Sequence, residues 1–292
     1  MIRFSKYIWL YVIISGIVLI PGSYSLIRFG LVPAIDFTGG TLLEVAFDKK
    51  VDPVVFTSSA DDVGIELSSV QRSGANSYLL RMKPETDDRL ALLESHIASG
   101  AASPSQVLRT ETVGPTLGRE LLTKAIMAAM LAIGAILAYV AYAFKNVKFG
   151  LAAVVALLHD LLVVVGTFSL FGRLWHVEVD TLFVTAVLTT MSFSVHDTIV
   201  VFDRIREYMK RSRGLSLEEV TDRALTETMN RSLVNSLTIV FMLLALVLMG
   251  GVTIKWFVVA LLIGTVSGTY SSPFIATPVL LFLDRWEKRR KR

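Results

Sequence analysis

The segment Val177–Val201 is a long apolar run that carries a carboxylate. Near its far end stand His196 and Asp197, and the run stops at the charged group Asp203-Arg204-Ile205-Arg206-Glu207. An ionised carboxylate in hydrocarbon costs several kcal/mol unless it is paired, hydrated or protonated. An apolar helix has no need of one, so Asp197 demands a partner or a function. Other apolar runs of spanning length occur on both sides of this one. Of the 292 residues 53% are hydrophobic, and the mean hydropathy is +0.60. Such a chain is of the membrane class. It has no cysteine, which excludes disulfides, zinc–thiolate sites and iron–sulfur clusters.

Six spans are expected: Tyr7–Phe29, Leu121–Phe144, Phe149–Phe171, the run ending at Val201, Arg231–Leu248 and Trp256–Leu283. The first follows Arg3 and Lys6 and starts like a signal peptide. It continues past Pro21 to spanning length and no small-residue cleavage site follows, so it is read as an uncleaved span. Between the first two spans the pattern changes. Thr41–Phe47, Ile65–Gln71, Ser77–Met82 and Gln106–Val113 read as strands, and Gly74-Ala75-Asn76 as a turn. Pro53–Val63 and Glu85–Ala98 read as helices, the second with Leu90, Leu93 and Ile97 on one face. The order β-α-β-β-α-β is the ferredoxin-like split pattern. The expected fold is therefore an α-helical polytopic membrane protein: six transmembrane helices, with one external α+β ferredoxin-like domain between spans one and two. The divisions fall at residues 1–30, 31–120, 121–202, 203–230, 231–284 and 285–292. The polar segment 203–230 is expected to hold a short amphipathic helix from Ser216.

Lysine and arginine flanking the spans set the orientation. Arg3, Lys6, Lys145, Lys148, the basic residues of 203–230 (Arg213 among them) and the tail Arg285–Arg292 fall on one side. The short loops of the other side carry only Arg173 and Lys255. Both termini are thus expected in the cytoplasm and the domain outside. The tail also favours anionic lipid.

Polar residues inside the spans form a pattern. Thr190, Ser194 and Asp197 lie at i, i+4, i+7, one stripe of span four. Arg231, Asn235 and Thr238 have the same spacing on span five. An Asp197–Arg231 pair between adjacent helices is expected. It can be a switch or a static salt bridge that fixes packing, and Arg231 alone can snorkel to the interface. His159-Asp160 places a second carboxyl in span three, either as a packing hydrogen bond or as a proton-relay position. His196 admits the same two readings. Gly264-x-x-x-Gly268, with Ser267, Ser271 and Ser272 nearby, reads as close helix packing. No phosphate-loop motif and no H-E-x-x-H occurs, so neither cofactor nor metal is expected, nor enzyme activity, nor a nucleic-acid partner.

Three stretches together resemble the SecD/SecF family of bacterial protein export, on its SecF side: IDFTGGTLLEV (Ile35–Val45), VGPTLGREL (Val113–Leu121) and HDTIVVFDRIRE (His196–Glu207). The resemblance covers essentially the whole chain. It implies an accessory subunit, similar to RND transporters, that uses the proton gradient to draw polypeptide across the cell inner membrane. It implies SecD, a SecY-type translocon and the translocating polypeptide as partners. The family's span-four carboxylate falls on Asp197 and its span-five arginine on Arg231. Asp36, Gly39 and Gly40 fall on its D-F-T-G-G-T signature, where the glycines provide a flexible or tightly turned link. This chain departs from the pattern at His196, where the family has asparagine, and at Ser192-Phe193 and Asn235-Ser236. The competing readings are half of an RND-like exporter of small molecules or lipids, and a structural stabiliser of the channel.

Overall fold

A computed structural model describes residues 4–143, 146–211 and 214–290. Arg3, Lys145, Arg213 and Arg292, which entered the orientation reading, lie outside the described residues. The chain forms two compact units, Pro33–Met127 and the remainder on either side of it.

The first long helix, α1 (Ile8–Phe29), is followed by the short α2 (Ile35–Thr38). The α+β unit then runs β1 (Gly40–Phe47), α3 (Pro53–Val63), β2 (Leu67–Arg72), β3 (Ser77–Met82), α4 (Asp87–Ala101) and β4 (Ser105–Val113). Its four strands form an antiparallel sheet in the order β2-β3-β1-β4. The local signals explain α3. Asp52 caps it by accepting from the Val54 amide, Pro53 opens it, and Gly64 ends it in the left-handed conformation. Alternate residues of β1 and β3, among them Leu43, Val45 and Leu80, meet Phe56 of α3 and Leu90, Leu93 and Ile97 of α4 in one core. Cutting Leu93, wholly buried, to alanine costs about 2–5 kcal/mol.

The other sheet face carries charge. Buried Glu44 lies across from Arg109, whose guanidinium donates to both carboxylate oxygens of Glu111 at 2.6 and 2.7 Å. Those bonds to Glu111 raise the Arg109 pKa, with Glu44 and Asp36 adding to the effect. Burial pulls the Arg81 guanidinium down to about 10, against the charge of Asp36. Asp36 is thus a countercharge to two arginines.

The remaining elements are helical: α5 (Pro115–Ala143), α6 (Val147–Trp175), α7 (Thr181–Arg211), α8 (Leu217–Met249), α9 (Val252–Ser271), a π-helical turn (Ser272–Ala276) and α10 (Thr277–Arg290). The last three run on as one helix. Six helices among the described residues are long and apolar enough to cross a membrane, and the chain is a multi-pass membrane protein.

The spans are longer than the apolar runs. No separate helix occupies the segment from Ser216 to Asn230. Instead α8 is one helix of 33 residues, started by a capping box between Ser216 and Glu219. Neither proline nor glycine interrupts it before Gly250. The change in polarity at Arg231 alters the solvent, not the backbone. In the same way α7 continues through Asp203–Glu207 to Arg211. Small residues bring spans together. A Cβ on Gly22 of α1 would lie 3.1 Å from the Gly166 backbone of α6. The close packing read from Gly264 and Gly268 is present, against Thr190 and Ser194 of α7. The π turn contains Pro273, which has no amide hydrogen to give to a regular helix.

Candidate functional site

Asp197 lies on the face of α7 that meets α8. Its Oδ2 accepts from Ser232 Oγ at 3.0 Å. One side opens on a cleft of about 660 Å³, whose walls include His196, Glu227, Thr228, Arg231, Asn235 and Thr238. Asp197 also lines a small space of about 30 Å³, bounded by Phe193, Ser236, Thr265 and Gly268, enough for one or two waters. His196, Asp197 and Asn235 line both spaces. The carboxyl therefore borders both a broad cleft and a small pocket. Towards the charged ends of α7 and α8 a second closure occurs. Arg204 pairs with Glu227, Tyr208 Oη donates to Glu227 at 2.8 Å, and the Arg204 guanidinium lies 5.2 Å from the Tyr208 ring centre.

Among the described residues no ion pair joins Asp197 to Arg231 in this structure. Arg231 lines the cleft wall and Ser232 takes the carboxylate. Successive helical residues point about 100° apart, so the neighbour of the expected arginine faces Asp197. The expected polar stripe also divides. Asn235 and Thr238 line the cleft. Thr190 and Ser194 are buried and turn to α9. Thr190 Oγ1 donates to the Val187 carbonyl, and Ser194 belongs to a different cluster.

That cluster is built on Asp160, which is 3% exposed beside His159 at 6%. Asp160 Oδ2 accepts from Ser194 Oγ at 2.5 Å and Ser271 Oγ at 2.6 Å. Its Oδ1 accepts from Ser267 Oγ at 2.6 Å and meets His159 Nδ1 at 3.0 Å. The imidazole Nε2 lies 2.9 Å from Ser15 Oγ and 3.0 Å from Tyr270 Oη. With the proton on Nδ1, the ring donates to Asp160 and accepts from a hydroxyl. One carboxylate thus collects four polar contacts from α6, α7 and α9, and its histidine reaches α1. Sequence reasoning did not assign Ser15, Ser232 or Tyr270, and read Ser267 and Ser271 only as packing. The available signal was the need of a deeply buried carboxylate for several donors.

The glycine motif is a packed turn. Gly39 and Gly40 have φ of +74° and +135°, which favours glycine. A Cβ on Gly39 would lie 2.8 Å from Pro115 Cα, and one on Gly118 would lie 2.8 Å from the Gly39 nitrogen. The two short signatures therefore touch each other through their backbones.

A buried carboxylate cluster and a second carboxyl beside a water-sized space, carried by six spans, mark a polytopic membrane protein with ionisable groups inside its spans. Residues 95–286 match the family described as "Protein export membrane protein SecD/SecF, C-terminal", and residues 24–51 match the "SecD/SecF GG Motif". The protein translocase subunit SecF of Thermobaculum terrenum is 42% identical over 306 residues, covering 99% of this chain and 95% of its own length. The protein translocase subunit SecDF of Thermus thermophilus is 34% identical over 265 residues, which is 88% of this chain and 35% of that one. A crystal structure described as SecDF, a translocon-associated membrane protein, from the same organism superposes with a TM-score of 0.87 at 31% identity. It matches 97% of this chain, which spans 39% of the solved one. The chain belongs to the SecD/SecF family of protein-export membrane proteins and is similar to its SecF members.

Proposed function

We propose that this chain is an accessory subunit of Sec protein export that uses the proton gradient, together with a SecD-type partner, to promote movement of polypeptide across the inner membrane. The observation that carries the proposal is that Asp197 lines both the cleft and the small pocket, with Arg231 on the cleft wall. A carboxyl that couples protons to motion must exchange with water from two sides in turn. When it is charged, Arg231 is the nearby cation it can recruit in place of Ser232, and protonation removes that attraction. Each charge crossing the membrane supplies about 2.3 kcal/mol per 100 mV. His196, Asn235 and Thr238 border the same water.

The SecD-type partner is supported by the SecDF relative and by α5, whose most apolar stretch is wholly unburied within the chain. Part of that surface meets lipid. A SecY-type translocon is supported by the words "translocon-associated" for the solved relative. The order β2-β3-β1-β4 with two helices on one face supports a ferredoxin-like module, here read as external, and the basic flanks support cytoplasmic termini. A reporter fused after Arg292 is then expected to be cytoplasmic, and one inserted at Gly74 external; the reverse pattern overturns the orientation.

The functional test uses membrane vesicles containing the export channel, this chain and a SecD-type partner. Stimulation of export by this chain should disappear when a protonophore collapses the gradient. Stimulation that survives the collapse would favour a structural stabiliser.

A further inference from the structure

The Asp160 cluster lies outside the proton site just described, and its geometry points to a separate task. Asp160 lines neither of the two spaces that Asp197 lines. Its oxygens are occupied by three hydroxyls and an imidazole, all from buried or largely buried residues. A carboxylate in that setting has its acceptor positions taken up by protein donors. What it does have is a hold on two of the helices around Asp197, α7 and α9. Ser194 is its contact on α7, three residues before Asp197, which is about 60° round the helix and about 4.5 Å along it. Ser267 and Ser271 hold α9 on either side of Gly268, where a Cβ would come 3.2 Å from Ser194 Cα. Helix α7 is therefore pressed against α9 at the residue that Asp160 grips.

Resting on the proton reading of Asp197, we propose that Asp160 is the positioning residue of that site. Through Ser194 it fixes the rotation of α7, so that Asp197 keeps lining both cleft and pocket. Through His159 and Ser15 it ties that rotation to α1. A turn of α7 that breaks the Ser194–Asp160 bond swings Asp197 through the same angle. Asp160 does not carry the proton. It sets where the carrying carboxyl stands.

The test reads Asp197 itself. Dicyclohexylcarbodiimide, an apolar reagent for protonated carboxyls, is applied to native membranes holding the full chain and its partner, and modification at Asp197 is followed by mass spectrometry against pH. Asp160→Asn keeps the shape of the side chain, and Ser194→Ala removes only the link to α7. Both are expected to change the rate of Asp197 modification by roughly tenfold, in the same direction, at unchanged protein abundance, since an error of about 1 Å at a reacting group has effects of this order or larger. Ser271→Ala, which leaves the α7 link in place, is expected to change it less. Unchanged labelling in both Asp160→Asn and Ser194→Ala overturns the proposal while leaving the proton reading intact. So does loss of export in Asp160→Asn with unaltered Asp197 labelling, which would make Asp160 a proton carrier. An Asp197 that resists the reagent in the parent protein at every pH overturns both. If Asp160→Asn fails to accumulate, Ser194→Ala decides alone.

Discussion

Replacing Asp197 by asparagine is expected to abolish gradient-dependent export while the protein still reaches normal abundance. In this structure the carboxylate is held by a neutral donor, Ser232 Oγ at 3.0 Å, and an amide oxygen can accept the same bond. The substitution therefore removes the titrating group and keeps the contact. Arg231→Met is expected to have a similar effect on export, because Arg231 is the cation on the cleft wall that a charged Asp197 can attract. The double apolar variant, Asp197→Leu with Arg231→Met, separates a switch from a brace. If the two residues served packing alone, the double variant would export as well as the parent. Under the proton reading the double variant exports no better than either single one. Export into vesicles with an imposed gradient, measured with protein abundance, gives the answer. Normal export by the double variant would end the proton reading.

The second large effect falls on the glycine signature. Gly39→Ala is expected to destabilise the unit Pro33–Met127 strongly. The φ of +74° penalises any side chain, and the new Cβ would lie 2.8 Å from Pro115 Cα. The strained backbone costs about 1–2 kcal/mol and the overlap about 1–3 kcal/mol more, a large share of a typical domain's stability. Gly114→Ala is the control. Nothing lies within 4 Å of its added Cβ, and no loss is expected. Limited proteolysis of the full chain in membranes, with immunoblots for abundance, distinguishes the two. A Gly39→Ala protein as resistant as the parent would show that the turn can relax.

The parts legible in the sequence are those decided by neighbours in the chain. Helix α3 could be read because Asp52, Pro53 and Gly64 are its own start and stop signals. The strands could be read because β1 and β3 alternate between an apolar core and a charged face. The hidden parts depend on how one helix is turned towards another. Charge logic selects Arg231 as the partner of Asp197. The rotation of α8 selects Ser232, and nothing local to either residue records that angle. The ring of serines round Asp160 was hidden for a different reason. A serine in an apolar helix serves close packing as well as hydrogen bonding, and only the approach of three helices decides which. The continuity of α8 was obscured because a change from polar to apolar sequence resembles a boundary, although helix propensity does not change there.

That continuity gives α8 a mechanical character. A helix of 33 residues is about 50 Å long, against about 30 Å of hydrocarbon. Ser216 lies 16 residues from Ser232, about 24 Å along the rod. With Ser232 as fulcrum, a tilt of about 5° moves the Ser216 end by about 2 Å over that arm. The far end is tied to a neighbour, since Glu218 receives Arg285 of α10 at 2.8 Å, while nearer the fulcrum Glu227 receives Arg204 of α7. Under the proton reading, an exchange of hydrogen-bond partner at Asp197 that tilted α8 would be magnified by this arm and reach the Glu218–Arg285 contact at its end.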